Sequence, residues 1–435
     1  RIHMKKMLML IGTILLLASC TLMPPEASPS APSETAGIIG TVQTPAPTPV
    51  PTPSPTPVPE DITIVVGAAG DIMCHARQLT SAYNKQAEEY EFDSCFYEIA
   101  PFIEYPDLMI TNFETTLPGA DNEYGFTGFP RFRSPDSLLR AVKSAGFDVL
   151  TTANNHCLDS DPEGLYRTIE QMDSLDIFHT GTFLSPENRE IPLIIDVNGI
   201  DVAIISATYG ANGLEGRLTD EEDSYIVSWL DESDRLCQDI ENAKAMGAEI
   251  ICMSVHWGYE YAQYPNSTQR KLAEKFIAAG ADVIFGHHPH VLQPVDRLEV
   301  TLEDGSTDTG LVYWSLGNLI SNQRTEPRDT GAIAYVTFTK NGVTGEITLD
   351  EAQYTPTWVM AAWSSDGTYD YNILPCALAL ETPESFYRLD IAPYARKIED
   401  RMNDAVRLLG EDAAQPVSGW PGGNEPQDVY TVFGE

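Results

Sequence analysis

The sequence predicts an α/β fold to which antiparallel sheet has been added. Up to about Thr309, short apolar and β-branched runs alternate with stretches of nine residues or more whose apolar residues recur at three and four spacing. Beyond it, β-rich runs are separated only by turn signals. Five of the six early runs are followed at once by polar residues able to do chemistry, as expected where the carboxyl ends of parallel strands share one edge.

Taken in order, the core strands are Ile62 to Ala68, Leu108 to Thr111, Val149 to Thr152, Val202 to Ala207, Ile250 to Val255 and Val283 to Phe285. Helices are predicted over Ser137 to Ala145, Glu163 to Ser174, Asp231 to Met246 and Ser267 to Ala279. The later strands are Leu311 to Leu316, Ala332 to Thr339 and Gly345 to Leu349, with Asn341-Gly342 as a hairpin turn. Glu384 to Leu409 reads as one or two helices with a break at Pro393, and Glu411 to Glu435 as loop. The domain plan is therefore a body over residues 61–350 and a C-terminal extension, residues 351–435, packed on it.

Residues 1–60 are different in kind. Lys5 and Lys6 precede an apolar run, Met7 to Ala18, that ends in Leu17-Ala18-Ser19-Cys20. The run is too short for the roughly 20 residues of a membrane-spanning helix, and it has the parts of a secretory signal. A cysteine at that point resembles the bacterial lipoprotein signal, which implies cleavage after residue 19 and lipidation of Cys20. The expectation is a chain exported and lipid-anchored to the outer face of the bacterial cell membrane, touching the membrane through the anchor only. From Pro24 to Pro59, twelve of 36 residues are Pro, with no apolar periodicity. Residues 21–60 read as a polyproline-rich tether with a reach of about 100 Å.

The chain of 435 residues carries 64 Asp plus Glu against 26 Lys plus Arg, a formal charge of −38, which disfavours nucleic acid as a partner. Six cysteines remain after Cys20; their spacing is wide, no CxxC occurs, and their pairing is not assigned.

Asp71 and His75 follow the first strand, Asn112 and Glu114 the second, and Asn154, Asn155 and His156 the third. His256 follows the fifth, and His287, His288 and His290 the sixth. Single strand-end acids are most often turn residues or caps, and single histidines are most often hydrogen-bonded core residues. Their joint placement at one sheet edge points instead to a metal site, and the mixture of carboxylate, amide and imidazole suits Mn, Fe or Zn better than Ca or Mg. In His288-Pro289-His290 an extended backbone would put both rings on one side of the chain.

The segments GDIM (70–73), NFE (112–114), AGFDVLTTANNHCLD (145–159), ATYGANG (207–213), HWGYEY (256–261), GADVIFGHHPHVLQP (280–294) and SLGNLISNQ (315–323) resemble the bacterial capsule-synthesis (CapA) family, linked to poly-γ-glutamate biosynthesis. The family looks like a branch of the calcineurin-like metallophosphoesterases. The resemblance implies a β-sandwich flanked by helices, holding two divalent ions at the strand ends, with water activated by coordination as nucleophile. By matching motif it implies Asp71, Glu114, Asn155, His256, His288 and His290 as metal ligands, Glu114 in the bridging position, and His156 as general acid. One motif departs: phosphoesterases have D-x-H, whereas Ile72, Met73 and Cys74 separate Asp71 from His75, so His75 is a possible ligand only if it reaches around a turn.

An anionic substrate needs local cations on so acidic a body. Arg131 and Arg133, in FPRFRSP, are candidates for gripping carboxylate or phosphate, against the alternative of a surface pair near Asp136. Glu260, Tyr261 and Gln293 are further substrate-contact candidates, and Trp257 reads as packing. Three functions are open: a metal-dependent hydrolase in poly-γ-glutamate capsule assembly or turnover, a phosphoesterase with a non-capsule substrate, and a non-catalytic factor working with the capsule synthesis machinery. A two-lobed transport binding protein ranks last.

Overall fold

A computed structural model describes residues 59–364 and 367–421. The expected signal peptide with Cys20, the tether up to residue 58 and most of the C-terminal loop lie outside the described residues.

The principal strands are β1 (Ile62–Ile72), β2 (Leu108–Phe113), β3 (Val149–Thr151), β4 (Phe178–Thr180), β5 (Leu193–Val197), β6 (Ile200–Thr208) and β7 (Ile250–His256). They continue with β8 (Val283–His287), β9 (Leu292–Thr301), β10 (Thr307–Leu316), β11 (Asn318–Ile320), β12 (Thr330–Lys340), β13 (Ile347–Trp363) and β14 (Tyr369–Pro375). The longer helices are α1 (Asp136–Ser144), α2 (Asp161–Ser174), α3 (Ser233–Ala245), α4 (Ser267–Ala279) and α5 (Ala395–Leu409).

Two mixed sheets face each other. One runs in the order β14-β13-β12-β1-β2-β3-β4, with β11 beside β1; the other runs β9-β10-β8-β7-β6-β5. Strands β1 to β4 are mutually parallel, and so are β6, β7, β8 and β10. Antiparallel strands are added to each parallel core: β12, β13 and β14 beside β1, and β5 and β9 at the two edges of the second sheet, the hairpin-connected pairs needing no helical crossover.

Period-two alternation explains the layers. In β1, Ile64, Val66 and Ala68 enter the core between the sheets, and Ala69 and Ile72 join a second core beneath α1. In β7, Ile250 and Cys252 face the inner core, while Ile251, Met253 and Val255 face α3 and α4. Both faces are covered, so the strands read as nearly continuous apolar runs. Each fully buried Ile, Val or Leu contributes about 1.5–3 kcal/mol over its exposed state. Helix α4 starts at an Asn266 cap whose side chain accepts the N–H groups of Thr268 and Gln269, and it ends at Gly280, φ 109°.

Several boundaries differ from the sequence expectation. The helix predicted from Asp231 begins at Ser233, after a 3₁₀ turn over Leu230–Glu232. Asn341-Gly342 is not a two-residue turn: residues 341–346 join β12 to β13, and Asn341 Oδ1 accepts the N–H groups of Val343 and Thr344. Pro393 sits in a 3₁₀ turn, and a single helix, α5, follows it. Strand β13 runs through residue 350, where the sequence placed the domain boundary. The six cysteines among the described residues are unpaired. No helix among the described residues is long and apolar enough to cross a membrane.

Candidate metal centre

The site lies at the carboxyl ends of the parallel strands of both sheets. Asp71 is near the end of β1, Asn112 in β2 with Glu114 just after it, Asn154 to His156 after β3, His256 at the end of β7 and His287 at the end of β8. Glycines allow the approach. A side chain on Gly70 would collide with the carbonyls of Gly317 and Leu316, and one on Gly286 with that of Trp314. The two sheets are tied nearby by a 2.9 Å hydroxyl pair, Thr151 and Ser254.

Asp71 is the hub. Its Oδ1 accepts from Asn112 Nδ2 at 2.8 Å and His287 Nδ1 at 3.0 Å; its Oδ2 accepts from His290 Nδ1 at 3.1 Å and the His288 N–H at 3.3 Å. Burial would raise this carboxyl, but the His287 and His290 bonds hold it well below the usual carboxylate range. Glu114 Oε1 lies 3.7 Å from His256 Nε2 and 3.7 Å from His290 Nε2, between the two imidazoles. Burial, with Asp71 alongside, pushes the Glu114 carboxyl well above its usual range. His256 Nε2 also reaches Asn155 Oδ1 at 2.9 Å. Burial, then the neighbouring His288, keep His256 well below the usual imidazole range, and burial brings His288 down to about 3. Both rings are therefore neutral, the form that binds metal.

His156 stands beside this group. Its Nδ1–H donates to Asp159 Oδ2 at 2.7 Å, and the Phe132 N–H donates to the same oxygen at 2.5 Å. The carboxylate fixes the tautomer and leaves Nε2 free to carry a proton.

Asp71, Glu114, Asn155, His256, His288 and His290 are thus brought together. The ring pair is not on an extended strand as expected, because His288 and His290 take φ of 94° and 56°. The rings still lie 5.8 Å apart, with His288 turned towards His256 and Tyr209 and His290 towards Asp71. His75 is engaged away from Asp71: its Nδ1 meets the Asn322 N–H at 3.2 Å and Gln78 at 3.3 Å, and its ring packs on Phe132. Arg133 is buried with its guanidinium over Tyr124, and Arg131 is half-buried on the other side of Phe132, whose ring contacts His156. Glu260 is exposed and Tyr261 partly so. Gln293 is spent on Ala262 and Gln269, Trp257 stacks on Trp314, and burial raises the Cys74 thiol, so no thiolate is on offer.

The sequence placed His287 in the strand-end cluster without a role of its own, and gave no role to Asn318, Asp159 or Tyr209. All four stand inside the segments quoted above. Asn318 holds His290 Nδ1 at 3.1 Å, and Tyr209 lies 4.6 Å from the His288 ring.

The family model described as "Bacterial capsule synthesis protein PGA_cap" matches residues 65–323, more than half of the chain. The chain belongs to that family. The capsule biosynthesis protein CapA of Bacillus anthracis is 28% identical over 284 residues, covering 63% of this chain and 64% of the relative. The PGA biosynthesis protein CapA of Bacillus subtilis (strain 168) is 30% identical over 285 residues, covering 63% and 68%. The chain thus spans about two thirds of the length of these relatives, slightly less in the first case. A crystal structure of the calcineurin-like phosphoesterase YfkN from Bacillus subtilis is similar at a TM-score of 0.39 and 13% identity, over 68% of this chain and 90% of that one. The PGA_cap match contains every residue of the buried cluster, from Asp71 to Asn318.

One ligand atom from each of Asp71, Glu114 and His256 lies within 4.8 Å of the others, all three residues being buried. This group could hold a divalent ion. Its fit is supported by three buried atoms without a hydrogen-bond partner, Glu114 Oε1, His287 Nε2 and His288 Nδ1. A carboxylate oxygen and a neutral imidazole nitrogen can each offer a lone pair, and leaving such an atom unsatisfied costs about 1–3 kcal/mol. A cation beside Glu114 would satisfy its free oxygen and offset the charge of the buried acids.

Proposed function

We propose that the chain is a metal-dependent hydrolase acting in the assembly or turnover of poly-γ-glutamate capsule. The observation that carries the reading is Glu114 Oε1, unpartnered and equidistant from His256 and His290, with the His156–Asp159 pair alongside. That placement suits a carboxylate that would help hold divalent metal of the Mn, Fe or Zn kind, two ions in the fullest case. Asp71, Asn155, His256, His288 and His290 would be the other residues to hold it.

A bound divalent ion would supply Lewis-acid polarisation and a nucleophile at neutral pH. The chain's own residues do the rest. Asp159 holds the His156 imidazole in one tautomer, and His156 Nε2 delivers a proton to the departing group. Asn112 and Asn154 fix the acids, since Asn112 Nδ2 donates to Asp71 and Asn154 Nδ2 donates to Asn112 Oδ1 at 3.1 Å. The names of the relatives, which concern capsule and PGA biosynthesis, favour the capsule polymer as substrate. The signal-like run ending in Cys20 favours an exported, lipid-anchored protein that meets the capsule synthesis machinery at the membrane's outer face.

The test uses the full chain in detergent. Bound metal is counted before and after chelation, and release of fragments from poly-γ-glutamate is compared with release of phosphate from simple phosphoesters. Metal-dependent scission of the polymer is expected. Phosphate release alone would favour a phosphoesterase with another substrate, and bound metal with neither activity would favour a non-catalytic capsule assembly factor.

A further inference from the structure

Beyond the matched family region, the segment Arg324 to Thr330 returns to the rim of the site. Arg328 is in it. Its guanidinium carbon lies 3.3 Å from the centroid of the Tyr261 ring, and it makes no ion pair among the described residues. On a body whose formal charge is −38, such a guanidinium beside the buried cluster is a place where an anionic chain can be held against the general repulsion.

Both ends of Arg328 are fixed to the residues around His290. Asn318 Nδ2 donates to the Arg328 carbonyl at 2.8 Å, while Asn318 Oδ1 takes His290 Nδ1 at 3.1 Å. At the other end, Tyr261 donates its N–H at 2.7 Å to the carbonyl of Pro289, between His288 and His290. The Tyr261 and His290 ring centroids are 6.3 Å apart. Tyr261 itself holds φ 67°, a backbone state that side chains adopt only where the surroundings impose it.

The next residue anchors the segment. Asp329 has no exposed surface; it accepts from Arg401 Nε at 2.8 Å and Trp358 Nε1 at 3.1 Å, and Lys397 lies at 3.3 Å. Helix α5 thereby fixes the backbone that carries Arg328. A planar guanidinium stacked on an aromatic face loses little freedom on binding and keeps its N–H edge for two parallel hydrogen bonds to one carboxylate.

We propose that Arg328, seated on Tyr261, is a substrate-binding residue that takes a carboxylate of the γ-glutamyl chain at the mouth of the metal centre. This rests on the hydrolase reading for its substrate class. Every unit of a γ-linked glutamate polymer leaves its α-carboxylate free, so the polymer presents the matching group at each step. Arg328 then selects for the polymer's charge and sets which bond lies over the cluster.

The experiment measures binding of a short γ-linked glutamate oligomer by calorimetry, and its cleavage, for the full chain and for Arg328→Ala and Arg328→Lys. Inorganic phosphate serves as a competitor. Arg328→Ala should weaken oligomer binding about tenfold and raise KM alike, with kcat and metal content within twofold of the parent. Arg328→Lys should recover only part, because an ammonium lacks the fork. Phosphate should compete weakly and equally in all three proteins. Oligomer binding unchanged in Arg328→Ala overturns the proposal, as does loss of metal or kcat together with binding, which would make Arg328 a structural prop. Phosphate competition that is strong in the parent and lost in Arg328→Ala also overturns it, assigning the residue to phosphate. A parent that binds the oligomer through Arg328 but does not cut it sinks the hydrolase reading and leaves the proposal standing.

Discussion

The Asp329 carboxylate takes a 2.8 Å hydrogen bond from Arg401 Nε, across 72 residues of chain, and neither side chain is more than slightly exposed. Replacing one partner leaves the other charged and buried. Arg401→Ala or Asp329→Ala should therefore cost about 3–5 kcal/mol, read as a drop in urea midpoint. The double variant should cost clearly less than the sum. A loss below about 1 kcal/mol in both single variants would show that helix α5 does not hold the Arg328 segment.

His156 and Asp159 should separate chemistry from metal binding. His156→Ala should lower cleavage by about 10²–10⁴-fold with metal content unchanged. Asp159→Asn should reduce it less and alter the pH profile, because the amide no longer fixes the tautomer. Loss of metal in His156→Ala would move His156 from proton carrier to ligand.

Glu114→Gln and His288→Ala should each release metal, since they remove donors that are buried and otherwise unpartnered. Elemental analysis after dialysis is the readout, and an affinity loss of at least 10-fold is expected. Full metal retention in both would place the ion elsewhere.

Gly70→Ala should be severe for a single methyl group. The added carbon meets the Gly317 and Leu316 carbonyls where β1 passes β11, neither of which can move without disturbing Asp71. Overpacking of this kind costs about 1–3 kcal/mol. Thermal unfolding and metal content should fall together.

The metal-free protein should lose stability in acid. Burial lowers His288 to about 3 and His75 to about 4, whereas both titrate near 6.5 when unfolded. Below pH 6.5 the unfolded chain binds protons that the folded chain refuses, so stability falls as pH drops from 6.5 towards 4 and then 3. The slope is about 1.4 kcal/mol per pH unit for each fully differing histidine. Chelated protein unfolded in urea at pH 7 and pH 5 tests the sign, and equal midpoints would count against it.

The central strands were legible because burial on both faces writes them as apolar runs bounded by polar residues. Strand β9 was not: from Val295 onward it alternates between buried and exposed positions at a sheet edge, and its apolar signal is diluted. The hairpin after β12 was foreseen but not its length, which depends on Asn341 capping two backbone N–H groups. In the site, ligand-type residues after strands could be read directly. The left-handed turns at His288 and His290 could not, because a His-Pro-His string carries no sign of the Asp71 bonds that impose them. Arg328 was invisible for the same reason: its place beside Tyr261 depends on Asn318 and on a helix some 70 residues further along.

The Asp71–His287 bond joins residues 216 positions apart, and each comes from a different sheet. With His288 and His290 following β8, a metal centre of the proposed composition would be complete only after β8 has been made and the sandwich has closed, so that metal would be taken up late in folding.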